Sequence, residues 1–280
     1  IPFNGGKMNH IFQPGKGYYE DAFASPAAQR CFENPNSVAT LKVHGECCLL
    51  VKRPVTAAVN QDPNDVEGVD STENAAVPTT DETIPQEKYE WIFCTRLDTK
   101  GRPFPEPHIP IPIMGVQPAA FEKHTYCFIP LAKDHVVGKG GKKSKPGPDT
   151  YAAIAQGVAQ GGIPDPNHAE APDFITVEWV GKKHQGNMDG LSVDHAIAVH
   201  GTTVVDLPER TRSALEQMAR TESIEGVVFQ DSDTGERFKL RFDMLVPDSL
   251  FAQNAKQKVS TPDSTTIKPI VYYAATDEAK

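Results

Sequence analysis

Two runs with strand character, CCLLVKR (47–53) and YEWIFCTRLD (89–98), are held apart by PVTAAVNQDPNDVEGVDSTENAAVPTTDETIPQEK (54–88), which has no aromatic residue and carries eight acidic residues against Lys88 alone. Such a composition buries too little apolar surface to offset the entropy of ordering it, so the stretch reads as a disordered acidic insertion. The simplest fold that accommodates it is a β-hairpin with an overgrown loop. Closing a loop of about 35 residues instead of about 5 costs only about 2 kcal/mol, because the entropy grows with the logarithm of loop length. The segment is therefore an insertion within a domain and not a boundary between two.

The insertion also governs how the charge is read. The chain carries a formal net charge of −9, and seven of those nine excess negative charges lie between residues 54 and 88. The remainder is close to neutral and can present a basic face, so a nucleic-acid partner stays open despite the acidic total. No apolar run approaches the roughly 18–20 residues of a membrane span. The first ten residues, IPFNGGKMNH, lack the apolar core of a signal peptide. An intracellular protein, cytoplasmic or nuclear, is expected, with no membrane association and as a monomer. The five cysteines (Cys31, Cys47, Cys48, Cys94, Cys127) include no CxxC pair. Adjacent Cys47 and Cys48 point to opposite faces of a strand, so free core thiols in a reducing compartment are expected and no zinc motif is present.

Mixed elements fill the rest. The pattern predicts strands over 125–132, 174–181, 195–205, 225–231 and 237–243, the last two joined by the turn residues Ser232 to Gly235. Helices are predicted over 149–160, capped by Asp149 and ended by Gly161-Gly162, and over 208–220, with Pro208 at an early position. The proline-rich 101–115 reads as an extended surface segment. The basic, glycine-rich 138–149 fails the P-loop pattern, because Gly141-Lys142 is followed by Lys143 where Ser or Thr is required. From Phe251 onward the chain reads as a polar tail apart from 267–275. Many strands and few long helices make an α+β protein on antiparallel sheet.

Isolated charged residues recur at strand ends: Lys42 and Gly45 in TLKVHGECCLL, Arg96 in CTRLD, Glu178 in TVEWVG, Glu225 in EGVV, then Lys239 and Arg241 in KLR. Taken singly, each is more often a solvated strand-edge charge than a functional group. Their order and character resemble the covalent nucleotidyltransferases, the superfamily of ATP-dependent polynucleotide ligases and RNA-capping guanylyltransferases. The KxDG-like element is matched at Lys42–Gly45, the EGxV element at Glu225–Val228 and the closing KxK/R element at Lys239–Arg241. More narrowly, KVHGECC, RLD, EWVGKKHQGN, HAIAVHG and IEGVVF resemble the small vertebrate-type 5′-to-3′ RNA ligases, from about Val38 to Arg241 with the insertion excluded.

The resemblance implies one nucleotidyltransferase (adenylation) domain over residues 1–250, with two antiparallel sheets flanking an ATP cleft and short peripheral helices, and a C-terminal tail over 251–280. It implies an ATP-dependent RNA ligase that uses ATP and Mg2+ (or Mn2+), joining 5′-phosphate to 3′-hydroxyl RNA ends through a lysyl-AMP intermediate on Lys42. Lys239 and Arg241 would contact phosphate, Glu225 would bind metal and orient the lysine, and Glu178 would accept a hydrogen bond from a ribose hydroxyl. Arg96 would contact ribose or phosphate, and the backbone at Leu41 and Val43 would meet the adenine edge. A lysine suits this work because a covalent intermediate splits one difficult transfer into easier ones. At an ordinary pKa near 10.4 only about one such amine in a few thousand is neutral at pH 7, so neighbouring charge or desolvation has to release it.

The sequence departs from the family pattern in two places. Position 44 is His where the usual element has Asp; a neutral His44 would remove an opposing negative charge and orient the amine by a hydrogen bond, whereas a protonated His44 would add positive charge but could no longer accept that bond. No Phe, Tyr or Trp occurs between Trp179 and Phe229 to stack on adenine, which leaves His195, His200 or aliphatic packing. The alternatives are a GTP-using capping guanylyltransferase and a nucleotide-binding protein that has lost transfer chemistry.

Overall fold

The computed structural model describes residues 8–55, 87–98, 103, 105–110, 126–131, 133, 148–188, 190–207, 209–257 and 271–274. The inner part of the acidic insertion, most of 101–115 and most of the basic glycine-rich loop lie outside the described residues.

Thirteen strands and five helices are present among the described residues. The longest strands are β5 (Glu46–Pro54) and β6 (Tyr89–Asp98), which form the antiparallel hairpin expected from the flanks of the insertion. They stay in register to the Pro54↔Tyr89 pair, and Val55 N–H donates to the Lys88 carbonyl at 2.7 Å. This hairpin is the centre of a seven-stranded antiparallel sheet. On one side of it lie β9 (Phe174–Val180), β10 (Ala196–Val199) and β13 (Tyr273–Ala274). On the other lie β8 (Tyr126–Pro130) and the short β7 (Ile109–Pro110). A second, four-stranded sheet has the order β1 (Asn9–His10), β12 (Arg237–Arg241), β11 (Gly226–Gln230), β4 (Val38–Leu41), antiparallel except for the β1–β12 pair. A small hairpin, β2 (Phe12–Pro14) with β3 (Tyr19–Phe23), completes the strands. The protein is thus α+β, with several antiparallel sheets and few helices.

Each large sheet has its own core. Under the four-stranded sheet, α1 (Pro26–Glu33), α3 (Arg212–Thr221), α4 (Phe242–Leu245) and the small hairpin bury Ile11, Phe32, Leu215, Phe229, Leu240 and Phe242. Under the seven-stranded sheet, α2 (Pro148–Ala159) covers Leu50, Trp91, Phe93, Trp179 and Ile197. Two segments tie the sheets together. Residues 42–45 carry the chain from β4 to β5, and 200–205 leave β10 to bond β4, with Leu41 N–H on the Thr203 carbonyl and Val205 N–H on the Ala39 carbonyl, both at 2.9 Å.

Several expected boundaries move for local reasons. The strand predicted over 195–205 ends at Val199, because Gly201 turns at φ +78° and redirects the chain to the other sheet. α3 begins at Arg212 and not near Pro208, since Thr211, with extended φ, accepts the Ala214 N–H on its hydroxyl as an N-cap. The run 237–243 splits after Arg241 into a helical turn. The segment read as a tail belongs to the fold: α5 (Leu250–Gln257) packs on α3 and α4 with Phe251 buried, and Tyr273 of β13 enters the second core. α1 has a plain signal at its start, Ser25-Pro26, where the Ser25 hydroxyl accepts the Ala28 N–H.

Since the ladder closes at Pro54 and Tyr89 with Val55 and Lys88 still bonded, a tight turn can replace the insertion. Substituting residues 57–86 with a four-residue Gly/Asn turn should leave circular dichroism unchanged and stabilise the protein by up to about 2 kcal/mol in urea unfolding, from reduced loop entropy. Loss of cooperative unfolding in that variant would contradict the hairpin.

Candidate active site

Lys42 lies in the four-residue passage between the two sheets, and a cleft of about 310 Å³ opens beside it. Two glycines fix the surrounding backbone. A Cβ on Gly45 would stand 2.6 Å from the Trp179 carbonyl oxygen and 2.8 Å from Glu178 Cγ, so only glycine lets the passage lie this close to β9. Gly226, at φ +153°, would bring a Cβ to 1.9 Å from the Leu240 carbonyl oxygen; it holds Glu225 at the edge of the β11–β12 ladder. The Lys42 N–H donates to the Gly226 carbonyl at 3.0 Å, which sets Lys42 and Glu225 side by side.

The cleft gathers six of the sequence-predicted residues: Lys42, Arg96, Glu178, Glu225, Lys239 and Arg241. Lys239 and Arg241 come from β12, Arg96 from β6 and Glu178 from β9, so both sheets form its walls. The remaining two, Leu41 and Val43, line a smaller adjoining recess with Met8, Thr40, Gly201 and Val228. Lys42, Met8, Glu178 and His200 border both spaces.

The Lys42 ammonium is hydrogen-bonded to Glu225 Oε2 at 2.5 Å, with the carboxylate buried at 7% exposure and the lysine at 19%. His44 Nδ1 reaches the same oxygen at 3.2 Å, and Arg241 Nε lies 3.9 Å from Oε1. Burial opposes ionisation of Glu225, but the Lys42 charge, the hydrogen bonds from His44 and Lys42 and the charge of His44 outweigh it. The carboxyl is pushed down to about 2.

Of the two forms open to His44, the surroundings favour the protonated one. Its Nδ1 faces the Glu225 carboxylate and its Nε2 faces the Gln185 carbonyl at 3.1 Å. Both are acceptors, so both ring nitrogens donate and the geometry selects the imidazolium. Burial works against that charge, yet the hydrogen bond and charge of Glu225, with the Gln185 carbonyl, raise His44 above its ordinary value. The Phe251 ring meets the imidazole edge-on, with centroids 5.4 Å apart. Gln185 sits at φ +43° in the 181–195 loop, which is anchored by His184 Nε2 bonded to His195 Nδ1 at 2.9 Å and by Trp179 against both rings.

Further residues shape the cleft. Asp243 grips the Arg241 guanidinium at 3.0 and 2.6 Å. Tyr19 accepts the Arg241 backbone N–H and donates to His10 Nδ1 at 2.6 Å. His10 is pushed down to about 4, by burial first and then by the charges of Lys239, Arg241 and Lys42, so it stays neutral beside the cationic wall. Glu178 is buried and bonded to His200 Nε2 at 2.6 Å. Arg96 lies over the Tyr126 ring at 5.6 Å. Burial pushes the Cys47 thiol up to about 12, so it is no thiolate nucleophile at neutral pH. Among the described residues that line the cleft, Lys42, His44, Arg96, Lys239 and Arg241 stand with the carboxylates Glu178 and Glu225, so an acidic chain presents a basic cleft suited to an anion.

Sequence reading leaves out Met8, His44's true partner Gln185, Asp243, Tyr19 and Phe251. Cys47 and His200 are visible in the sequence, but only the Cys47↔Glu178 strand pair brings Cys47 to the carboxylate. No helix among the described residues is long and apolar enough to cross a membrane. No protein-family profile matches the chain, and no curated protein matches it either.

Two outcomes follow. Lys42→Ala removes the leading charge that holds Glu225 down while burial and the His44 bond remain, so the carboxyl should titrate upward from about 2. Breaking a buried pair of this kind costs about 3–5 kcal/mol; carboxyl-detected NMR and urea unfolding at pH 7 check both parts, and an unmoved Glu225 would contradict the pairing. Below pH 6.5 the raised His44 contributes fully, whereas His10 and His195, both pushed down to about 4, resist protons that the unfolded chain takes up. Stability should therefore fall as pH is lowered from 6.5 to 5; a flat or rising profile would contradict the assignment.

Proposed function

We propose that this chain is an ATP-dependent RNA ligase of the covalent nucleotidyltransferase type, acting through a lysyl-AMP on Lys42. The observation that carries the reading is the convergence of Lys42, Glu225, Lys239 and Arg241, far apart in sequence, on one basic cleft that continues into an apolar recess beside Leu41 and Val43. The motif resemblance of these residues supports it independently. The fold class agrees with a nucleotidyltransferase domain, its two large sheets facing each other across the cleft.

In this reading the base enters the recess between Leu41, Val43 and Val228, with the His200 ring at its border. Glu178, held in place by His200, accepts a hydrogen bond from the ribose. Lys239, Arg241 and Arg96 meet the phosphates, and the His44 imidazolium adds charge next to the amine. Glu225 orients Lys42 Nζ, which gives up a proton to water and attacks the α-phosphorus. A nitrogen–phosphorus bond forms, the α–β bridging bond breaks and pyrophosphate leaves. A 5′-phosphate oxygen of RNA then displaces Lys42 from AMP, and a 3′-hydroxyl displaces AMP to close the phosphodiester.

Glu225 is the carboxylate beside the amine and is already met by Lys42 and His44. With Oε2 taken by these two groups, Oε1 is the carboxylate oxygen that would serve an ion held mainly by phosphate oxygens, as magnesium commonly is. Bound in that way, magnesium or manganese would neutralise phosphate charge during transfer.

Incubation with labelled ATP and magnesium, followed by denaturing electrophoresis, should give a stable adduct that does not form with labelled GTP. Lys42→Arg keeps a cation for Glu225 but cannot form the adduct, so it should fold and fall to background, a loss of at least about a thousandfold. RNA with 5′-phosphate and 3′-hydroxyl ends should be sealed, and matched DNA ends much more slowly, since the 2′-hydroxyl distinguishes the two. A GTP adduct would favour a capping guanylyltransferase; nucleotide binding without an adduct would favour a protein that has lost transfer chemistry.

A further inference from the structure

We propose that Cys47, Glu178 and His200 form a binding site for a borderline-soft divalent cation of the zinc class, with its fourth position open to the cleft. One donor atom from each, a sulfur, a carboxylate oxygen and a ring nitrogen, lie within 4.8 Å of one another. All three residues line the cleft, and Cys47 and His200 are half-buried, so an ion can reach them.

Their positions are set by sheet register. Cys47 on β5 is directly paired with Glu178 on β9. Glu178 is in turn paired with Ala198 on β10, two residues before His200, whose N–H is tied to the Thr176 carbonyl at 3.2 Å. Bonds of about 2.0–2.3 Å to a tetrahedral ion place its ligand atoms about 3.3–3.6 Å apart. The 2.6 Å contact between His200 Nε2 and Glu178 Oε2 then opens by less than 1 Å, which side-chain rotation supplies.

The chemistry of the donors selects the ion. Thiolate and imidazole with one carboxylate suit zinc or cobalt, whereas magnesium prefers an all-oxygen octahedron. On binding, a sulfur–metal bond replaces the S–H bond of Cys47, whose proton passes to water. The hydrogen on the His200 nitrogen facing Glu178 passes by way of water to Nδ1, and the neutral ring offers its Nε2 lone pair to the ion. Three protein ligands with a free position is the pattern of an exchangeable site and not of a closed structural one. An ion held there engages the carboxylate that the ligase reading assigns to ribose, so the two uses of Glu178 exclude each other. The site itself does not rest on that reading, and the ion alone tests it.

Titration of the full-length protein with cobalt(II), without nucleotide, should give one equivalent bound, an intense near-ultraviolet thiolate-to-cobalt band and the visible bands of a tetrahedral ion. Zinc should abolish these bands and a large excess of magnesium should leave them. Cys47→Ser should remove the thiolate band, and His200→Gln should weaken cobalt affinity by at least about tenfold, each with unchanged circular dichroism. If Cys47→Ser does not fold, His200→Gln decides alone. A folded wild-type protein without the thiolate band, a band retained in Cys47→Ser, or unchanged affinity in His200→Gln would overturn the site.

Discussion

The ion pair between Lys42 and Glu225 is the interaction on which the rest of the cleft depends. A carboxylate as buried as Glu225 is costly unless it is matched by charge and hydrogen bonds. Lys42 and His44 supply both, and the backbone bond from Lys42 to Gly226 keeps the partners adjacent. The same residues lie in the passage that carries the chain from one sheet to the other. A single local arrangement thereby fixes where the sheets face each other, where the amine points and where positive charge collects.

The supporting parts follow from this demand. Gly45 permits the passage to press against β9, which brings Glu178 and Cys47 to the opposite wall. Tyr19 and Asp243 hold Arg241 from the far side, and neutral His10 fills the space behind it without adding a further charge. His44 joins the network as a cation shared between Glu225 and the Gln185 carbonyl, and this ties the 181–195 loop to the Lys42–Glu225 pair. An acid at position 44 would face Glu225 across about the distance that now joins opposite charges, so histidine at this position avoids a local repulsion.

Much of this was legible in the sequence because it is encoded locally. The apolar, β-branched and aromatic runs of CCLLVKR, YEWIFCTRLD and FITVEWV mark strands, which the fold buries on both faces at their centres, and the turn residues between 231 and 236 mark a hairpin. Residues whose placement depends on register were not legible. Nothing near Cys47 announces that it faces Glu178, 131 positions away, nor that the turn after β10 brings His200 to the same carboxylate. The helix after Leu250 looks polar because only Phe251 and a few neighbours are buried, and β13 is too short to show a period. His44 could be seen as a departure, but its charge state follows from two acceptors that only the folded chain sets around it.

The central claim is that Lys42 is the nucleophile, and peptide mapping tests it most directly. After incubation of the full chain with ATP and magnesium, tandem mass spectrometry should locate one AMP on the peptide containing Lys42, bonded to its side-chain nitrogen. Nucleotide binding with no covalent product, or AMP on any other lysine, would contradict the account.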